Sequence, residues 1–274
     1  GHTTMCQYCD YTTGDAVEPH DTDGEDGKCS KCGFKSVAFS GSAENPDALY
    51  NSLQTAFETV EDGGTITLTA NITSSEDITF GEYLNDDGDW VKSDKSVTLV
   101  MNSYTLTGST GQPALTVSGG SLTIADNATL NGRDASASSA ELPASPAIKV
   151  TDGVLTFKDT VNATGGSGNS SAAPAIEVTG GKVIFEGDVT ATGGLLGQDK
   201  NSKTCQPAIK ATGTGELDFQ GTKKSQVGLT LYGGLTVTGD ATLTNGLSQG
   251  TFRVEYYYIN SAGETKKESI SSPL

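Results

Sequence analysis

The sequence predicts an all-β solenoid, in which short parallel strands stack in successive coils, on three observations. The composition is 34% hydrophobic and 7% aromatic with 35 glycines in 274 residues, which suits short strands and frequent turns. A unit beginning Pro-Ala recurs at Pro113, Pro146, Pro174 and Pro207, with spacings of 33, 28 and 33 residues. When these copies are aligned, equivalent positions hold similar apolar residues, and these positions recur at every second residue within each strand.

Each copy holds two short strands separated by a turn that contains glycine, and a third short strand follows in the first three copies. The first strand predicts two apolar columns: Leu115, Ile148, Ile176 and Ile209; Val117, Val150, Val178 and Ala211. The second strand predicts two more: Leu122, Leu155, Val183 and Leu217; Ile124, Phe157, Phe185 and Phe219. The third strand gives Ala128, Val161 and Val189, and Leu130, Ala163 and Ala191. An antiparallel sandwich also alternates, but columns at a near-constant offset favour a solenoid of roughly seven coils stacked ~4.8 Å apart.

Weaker copies extend the stack over residues 65–80 and 97–108 before the four units, and over 229–246 after them. An open solenoid leaves unpaired strand edges at both ends, so we expect a cap at each. At the N-terminal end we predict a capping helix over residues 46–62, with Asn45 as its N-cap and Pro46 at its first position. A hairpin over 251–260 would cap the other end.

The predicted apolar face of that helix comprises Leu49, Leu53, Ala56, Phe57 and Val60, and the helix would stop at the glycine pair 63–64. We therefore divide the chain into residues 1–40 and a solenoid domain over 41–274. The coils occupy 64–250 and the C-terminal cap occupies 251–274.

The strand phrases also carry a family resemblance. Gly64-Thr-Ile-Thr-Leu-Thr-Ala-Asn71, Val97-Thr-Leu-Val-Met-Asn102 and Tyr104-Thr-Leu-Thr-Gly108 resemble right-handed parallel β-helix surface proteins of Gram-positive bacteria. That group is related in architecture to pectate lyases, and the resemblance covers about residues 46–250. It implies secretion, cell-wall attachment, and adhesion or carbohydrate binding. It implies no catalytic residue, because no lyase motif is matched.

Residues 1–40 contain the pairs Cys6-Gln-Tyr-Cys9 and Cys29-Ser-Lys-Cys32, with nineteen residues between them. Two such pairs supply four thiolates, the tetrahedral ligand set that a structural Zn²⁺ prefers. This segment resembles zinc-ribbon modules, and we predict zinc on these four cysteines. Two disulfides are the alternative, natural in a secreted protein. The fifth cysteine, Cys205, is either a free thiol or one half of an intermolecular bridge.

Charge and hydropathy exclude several classes of partner. The formal net charge of −17 disfavours nucleic acid and anionic membranes, which both require a basic face. No apolar run approaches the ~20 residues that span a bilayer. The chain opens Gly1-His2-Thr3 without a start Met, so we interpret it as an excised fragment. The extracellular, cell-wall-attached location that we expect for it is what the resemblance implies.

Catalytic patterns are weak in the predicted coils. His20 is the last histidine, which removes Ser-His and Cys-His catalysis from the solenoid. The predicted outer columns do not cluster the carboxylates that glycosidases and lyases need. Acidic turns at residues 21–27 and 85–89 resemble calcium loops but lack Gly at position six and Glu at position twelve. At these two segments, a calcium-binding loop therefore stays the alternative to an acidic turn that contacts only solvent.

Repeat length varies only after the third strand, which predicts three neighbouring loops at one corner, over residues 133–145, 166–173 and 194–206. The candidate ligand-binding residues there are Arg133, Asp134, Glu141, Asp199, Lys200, Asn201 and Lys203. A second candidate is the insertion 81–95, where Tyr83 and Trp90 adjoin acidic residues. Such a pair suits a sugar ring, or Trp90 packs on the stack as part of an ordinary hairpin.

We therefore expect a non-catalytic adhesion module that displays loops to a glycan or a host surface protein. The alternatives are a structural spacer within a larger wall-attached protein, and a polysaccharide lyase or glycosidase.

Overall fold

The computed structural model describes residues 36–41, 48–74, 77–85, 87–109, 111–136, 142–197, 204–220, 229–245, 251–259 and 265–273, the last two by their backbone. The predicted cysteine module with Cys6, Cys9, Cys29 and Cys32 lies outside these residues, as does the predicted helix start at Asn45 and Pro46. Within the described ranges the chain is mostly β and contains one helix, α1 (Leu53–Thr59).

The N-terminal strands are β1 (Ala38–Gly41), β2 (Ala48–Tyr50), β3 (Thr65–Leu68), β4 (Ile72–Thr73), β5 (Thr79–Phe80), β6 (Glu82–Leu84), β7 (Trp90–Lys92), β8 (Ser96–Val100) and β9 (Thr105–Thr107). The central strands are β10 (Leu115–Ile124), β11 (Ala128–Asn131), β12 (Ile148–Phe157), β13 (Val161–Thr164), β14 (Ile176–Val178), β15 (Lys182–Phe185), β16 (Val189–Thr192), β17 (Leu195–Leu196) and β18 (Thr204–Cys205). The last strands are β19 (Ile209–Ala211), β20 (Glu216–Phe219), β21 (Leu229–Tyr232), β22 (Leu235–Val237), β23 (Thr242–Asn245), β24 (Thr251–Ile259) and β25 (Thr265–Pro273).

Parallel pairing between successive copies builds two large sheets. In the first, of 13 strands, β10 pairs with β12, which pairs with both β14 and β15; these continue to β19 and β20. In the second, of 8 strands, the order β4-β9-β11-β13-β16-β21 is parallel throughout. In each unit, strands of the first sheet are therefore followed along the chain by one strand of the second.

The predicted columns are confirmed residue by residue. Leu115 pairs with Ile148, then Ile176, then Ile209, and the second-strand column runs from Ile124 through Phe157, Phe185 and Phe219 in the same way. The third-strand columns pair Leu130 with Ala163 and Ala191. These side chains are all buried, since alternate residues of each strand point into one continuous apolar core.

The phenylalanines of the second-strand column form a stacked ladder inside that core. Phe157 and Phe185 lie with ring centroids 5.6 Å apart and planes 5° from parallel, and Phe185 and Phe219 lie 4.9 Å and 15° apart. All three side chains are at most 1% exposed. In-register pairing of identical residues produces this stacking, because neighbouring strands are separated by roughly the same distance as the rings.

The N-terminal end differs from the prediction. The helix begins at Leu53 with Ser52 as its N-cap, and Ala48–Tyr50 form a strand, so the predicted start at 46 and the place of Leu49 on a helical face are wrong. Leu53, Ala56 and Phe57 are buried as predicted, and Phe57 packs edge-on against Phe80 at 5.3 Å. The edge of the first sheet is covered by β1 and β2, which join β3 by antiparallel pairing. Pairing with β1 provides hydrogen-bond partners for backbone N–H and C=O groups at the edge of β3, which a helix packed there would have left unpaired.

At the other end, β24 pairs in parallel with β21 and antiparallel with β25. A hairpin is therefore present at the end of the second sheet, but it spans residues 251–273, and the predicted range 251–260 supplies only its first strand.

Candidate functional site

The three predicted loops lie side by side, as the backbone bonds between their bases show. Gly166 N donates to Ser145 O at 3.0 Å, and Gly194 N donates to Ala173 O at 2.9 Å. Glycine is required here, because a Cβ on Gly166 would lie 1.8 Å from Arg133 O and one on Gly194 would lie 1.9 Å from Gly166 O. We name this surface the corner: the described residues of 133–145, 166–173 and 194–206.

Side chains tie the loops to one another. Buried Ser145 donates from Oγ to Ser109 O at 3.3 Å and accepts from Arg133 N at 2.8 Å. Ser171 Oγ accepts from Ala144 N at 2.8 Å, and Ser167 Oγ accepts from Leu195 N at 2.9 Å. The base of the corner is thus ordered by short polar side chains, which hold each loop against the next.

The structure places two of the seven predicted corner residues. Arg133 is exposed, so its guanidinium is open to a ligand. Asp134 is also exposed, but its Oδ1 accepts a 2.7 Å hydrogen bond from Ser167 N, which commits one carboxylate oxygen to loop structure. The remaining predicted residues lie outside the described part of the chain: Glu141, Asp199, Lys200, Asn201 and Lys203.

The second candidate, the 81–95 insertion, is a two-stranded antiparallel hairpin. Its register pairs Tyr83 with Val91 and Leu84 with Trp90. Because paired residues share a face and successive residues alternate, Tyr83 and Trp90 lie on opposite faces. Trp90 is 67% exposed, so it does not pack on the stack. The two rings are both exposed, Tyr83 to 39%, but on opposite faces, so they cannot clasp one sugar between them.

The turn of this hairpin uses the side chain that resembled a calcium ligand. Asn85 Oδ1 accepts from Asp87 N at 3.1 Å and from Asp89 N at 2.8 Å. Gly88 has a φ of +84°, which completes the turn without strain. Across the described residues, no three of His, Cys, Asp and Glu are grouped to hold a metal ion.

Two of the three outer strand faces carry charge ladders. Lys210 Nζ lies 3.1 Å from Glu177 Oε1, and Lys158 pairs with Glu186, as the alternating signs in these columns predict. Lys182 Nζ lies 2.9 Å from Asp218 Oδ2, and this hydrogen bond, with the neighbouring carboxylates, raises the pKa of Lys182 above its usual 10.5. The carboxylates of these ladders therefore form ion pairs with lysines from neighbouring strands.

The third outer face is different, and sequence reasoning missed it. Its outward positions form two in-register columns on β9, β11, β13, β16 and β21. We name this surface the neutral strip: Thr105, Thr107, Thr129, Asn131, Asn162, Thr164, Thr190, Thr192, Thr230 and Tyr232. No member is charged, three are exposed and the rest are half-buried. The signal was available in the sequence, since these residues flank the predicted inward columns of the third strand.

Cys205 lies at the base of the corner, on β18, which pairs with β17. Its Sγ lies 3.5 Å from Gly193 O and 3.6 Å from Tyr232 O, so its single S–H can donate to either carbonyl, and burial raises the pKa of the thiol. Because the thiolate is the reactive form, the raised pKa lowers the reactivity of Cys205 at neutral pH.

Comparison of the chain with protein-family models, with curated proteins and with solved structures gave no match. The seven-residue helix is the longest in the described ranges, and no described helix has the length and apolar character needed to cross a membrane.

Proposed function

We propose that this chain is a right-handed parallel β-helix solenoid from the surface of a Gram-positive bacterium, where it binds a glycan at the corner without turning it over. The parallel in-register pairing of successive copies supports the solenoid. Its bacterial origin and extracellular location rest on the resemblance of the strand phrases.

One observation carries the binding function: the three loops that follow the third strands β11, β13 and β16, two of them longer than the other, meet at one corner while the core columns stay regular. The loops lie against one another there, and their bases are held by hydrogen bonds between coils. A rigid scaffold that presents adjacent loops is the common arrangement of binding surfaces. Arg133 supplies an exposed donor with five N–H groups for sugar hydroxyls.

A glycosidase or lyase is the less favoured candidate. Glycosidases use two carboxylates ~5–10 Å apart, one of them free to act as acid or nucleophile. On the described outer faces, Glu177, Glu186 and Asp218 each pair with a lysine. Such pairing commits carboxylate oxygens to lysine ammonium groups, which leaves them less available to a substrate.

Trimming the corner tests the proposal. The variant replaces residues 136–142 and 197–204 by short Gly-Ser links and keeps the hydrogen-bonded bases, including Ser145 and Gly194, so that the coils still pair. A matched control shortens the tip of the 82–92 hairpin, which removes exposed loop from another place. Both variants and the parent chain are applied to a glycan array, and their thermal unfolding is followed by circular dichroism.

We expect the corner variant to unfold at the parent temperature and to lose glycan retention, while the hairpin variant keeps it. Retention that survives corner trimming would contradict the proposed site and would direct attention to exposed Trp90. A parent chain that retains no glycan would favour the spacer function. Release of sugar products during incubation would favour the enzyme.

A further inference from the structure

The neutral strip stands out because the other two outer faces of the same coils are charged. The first-strand face presents Lys149, Glu177 and Lys210 in register, and the second-strand face presents Lys158 and Glu186. High β-propensity explains why threonine is common on an exposed strand, but it would favour threonine equally on all three faces. Over the five strands from β9 to β21, the absence of charge from ten consecutive outward positions therefore distinguishes this face from the other two, and it ends at β24, where Glu255 pairs with Thr230.

The strip has the shape of one extended ligand lying along the stack. Neighbouring strands are separated by ~4.8 Å, so the four steps from Thr105 to Thr230 cover about 19 Å. The two columns are two residues apart along each strand, a separation of about 6.6 Å. The surface is thus narrow and long, with a hydroxyl or amide at regular intervals on both sides.

The side chains of the strip match the hydrogen bonding of an uncharged sugar. A threonine hydroxyl both donates and accepts, and the amides of Asn131 and Asn162 do the same, which is what carbohydrate hydroxyls require. The strip offers no lysine or arginine to a uronate or sulfate. The net charge of −17 repels a polyanion as well, so the charge distribution selects against acidic polysaccharides.

The strip is continuous with the corner. Asn131 ends β11, Gly132 N donates to Thr164 O at 2.7 Å, and exposed Arg133 follows at once. A chain lying along the strip would pass beside the loop bases for several coils. At the far end, Tyr232 is 38% exposed and adds an aromatic surface to the second column.

We propose that the neutral strip is the part of the binding surface that selects the ligand class, and that it binds an extended, uncharged polysaccharide along the stack axis. This inference rests on the proposed glycan-binding function. In this arrangement the polysaccharide lies along the strip, and the corner contacts one side of the same polysaccharide.

The test uses single isosteric substitutions in the full chain. Asn131→Asp and Asn162→Asp each replace an amide donor by a charge within the strip. Asn51→Asp introduces the same charge at an exposed position beside the N-terminal cap and serves as the matched control. Retardation is measured by affinity electrophoresis in gels that contain a neutral mannan, a neutral β-glucan or polygalacturonate, together with the corner-trimmed chain.

We expect retardation by a neutral polysaccharide, weakened about fivefold to tenfold by each strip substitution and unchanged by Asn51→Asp, which is the loss of roughly one hydrogen bond. Equal retardation of the strip variants and the control would overturn the strip, while loss on corner trimming alone would leave the proposed function standing. Stronger retardation by polygalacturonate than by the neutral polysaccharides would also overturn the strip and leave the proposed function standing. No retardation by any polysaccharide would overturn both proposals.

Discussion

Removal of the Phe185 ring is the most direct test of the stacked core. This ring is fully buried and lies between Phe157 at 5.6 Å and Phe219 at 4.9 Å, so Phe185→Ala deletes two stacked pairs and opens a cavity in the middle of the ladder. Core Phe→Ala substitutions cost ~3–5 kcal/mol, and each aromatic pair contributes ~0.5–1.5 kcal/mol beyond area burial. We expect a loss near the top of that range, about 4–5 kcal/mol.

The neighbouring position supplies an internal comparison. Phe157 faces Ile124 on one side and Phe185 on the other, so Phe157→Ala breaks one described aromatic pair rather than two. Its cost should be lower by about 1 kcal/mol. Trp90→Ala, at a 67% exposed position, should change the free energy of unfolding by less than about 0.5 kcal/mol.

Urea unfolding followed by far-ultraviolet circular dichroism measures these differences at a common slope m. A loss of under about 1 kcal/mol for Phe185→Ala would mean that the ring is not enclosed by its neighbours. The parallel register that stacks the three rings would then be wrong, and the assignment of the other columns would fail with it.

Three further predictions test other parts of the chain. Gly153→Ala should lower the free energy of unfolding by about 2 kcal/mol more than Gly88→Ala in urea melts, because both glycines have φ near +80° but only the first would bring its Cβ within 2.6 Å of a neighbouring backbone. Lys182→Met should cost about 2 kcal/mol at pH 7, since it leaves Asp218 buried without its cation. In the parent chain the raised pKa of Lys182 means that this contribution is complete below pH 10.5 and is lost as the pH rises through the higher folded-state pKa, which alkaline urea titrations would show. Elemental analysis should find one zinc per chain, and two disulfides by intact mass with no metal would contradict its ligand set, Cys6, Cys9, Cys29 and Cys32.

The sequence alone determined the register of the core. Inward positions of each copy carry apolar residues, and a one-residue slip of β12 would turn Leu155 and Phe157 outward and expose them to water. The free energy of burying these columns admits one alignment, so the repeat could be read without coordinates. The position of the corner followed as well, because the three loops all follow a third strand, and third strands pair side by side.

Only the tertiary structure decided what covers the N-terminal edge. The segment around Leu49 has a helical apolar pattern, yet it forms the strand Ala48–Tyr50, because pairing with β1 satisfies backbone groups that would otherwise stay open at the edge. Local propensity does not register a partner supplied by residues ten positions away.

The surface was decided in the same way. Whether Trp90 packs on the core or stands in solvent depends on how the hairpin leaves the coil, and its opposite orientation to Tyr83 depends on the strand register. The uncharged character of the strip is written in the sequence as single Thr and Asn residues. It becomes one surface only when parallel pairing brings residues more than twenty positions apart to within ~5 Å of one another.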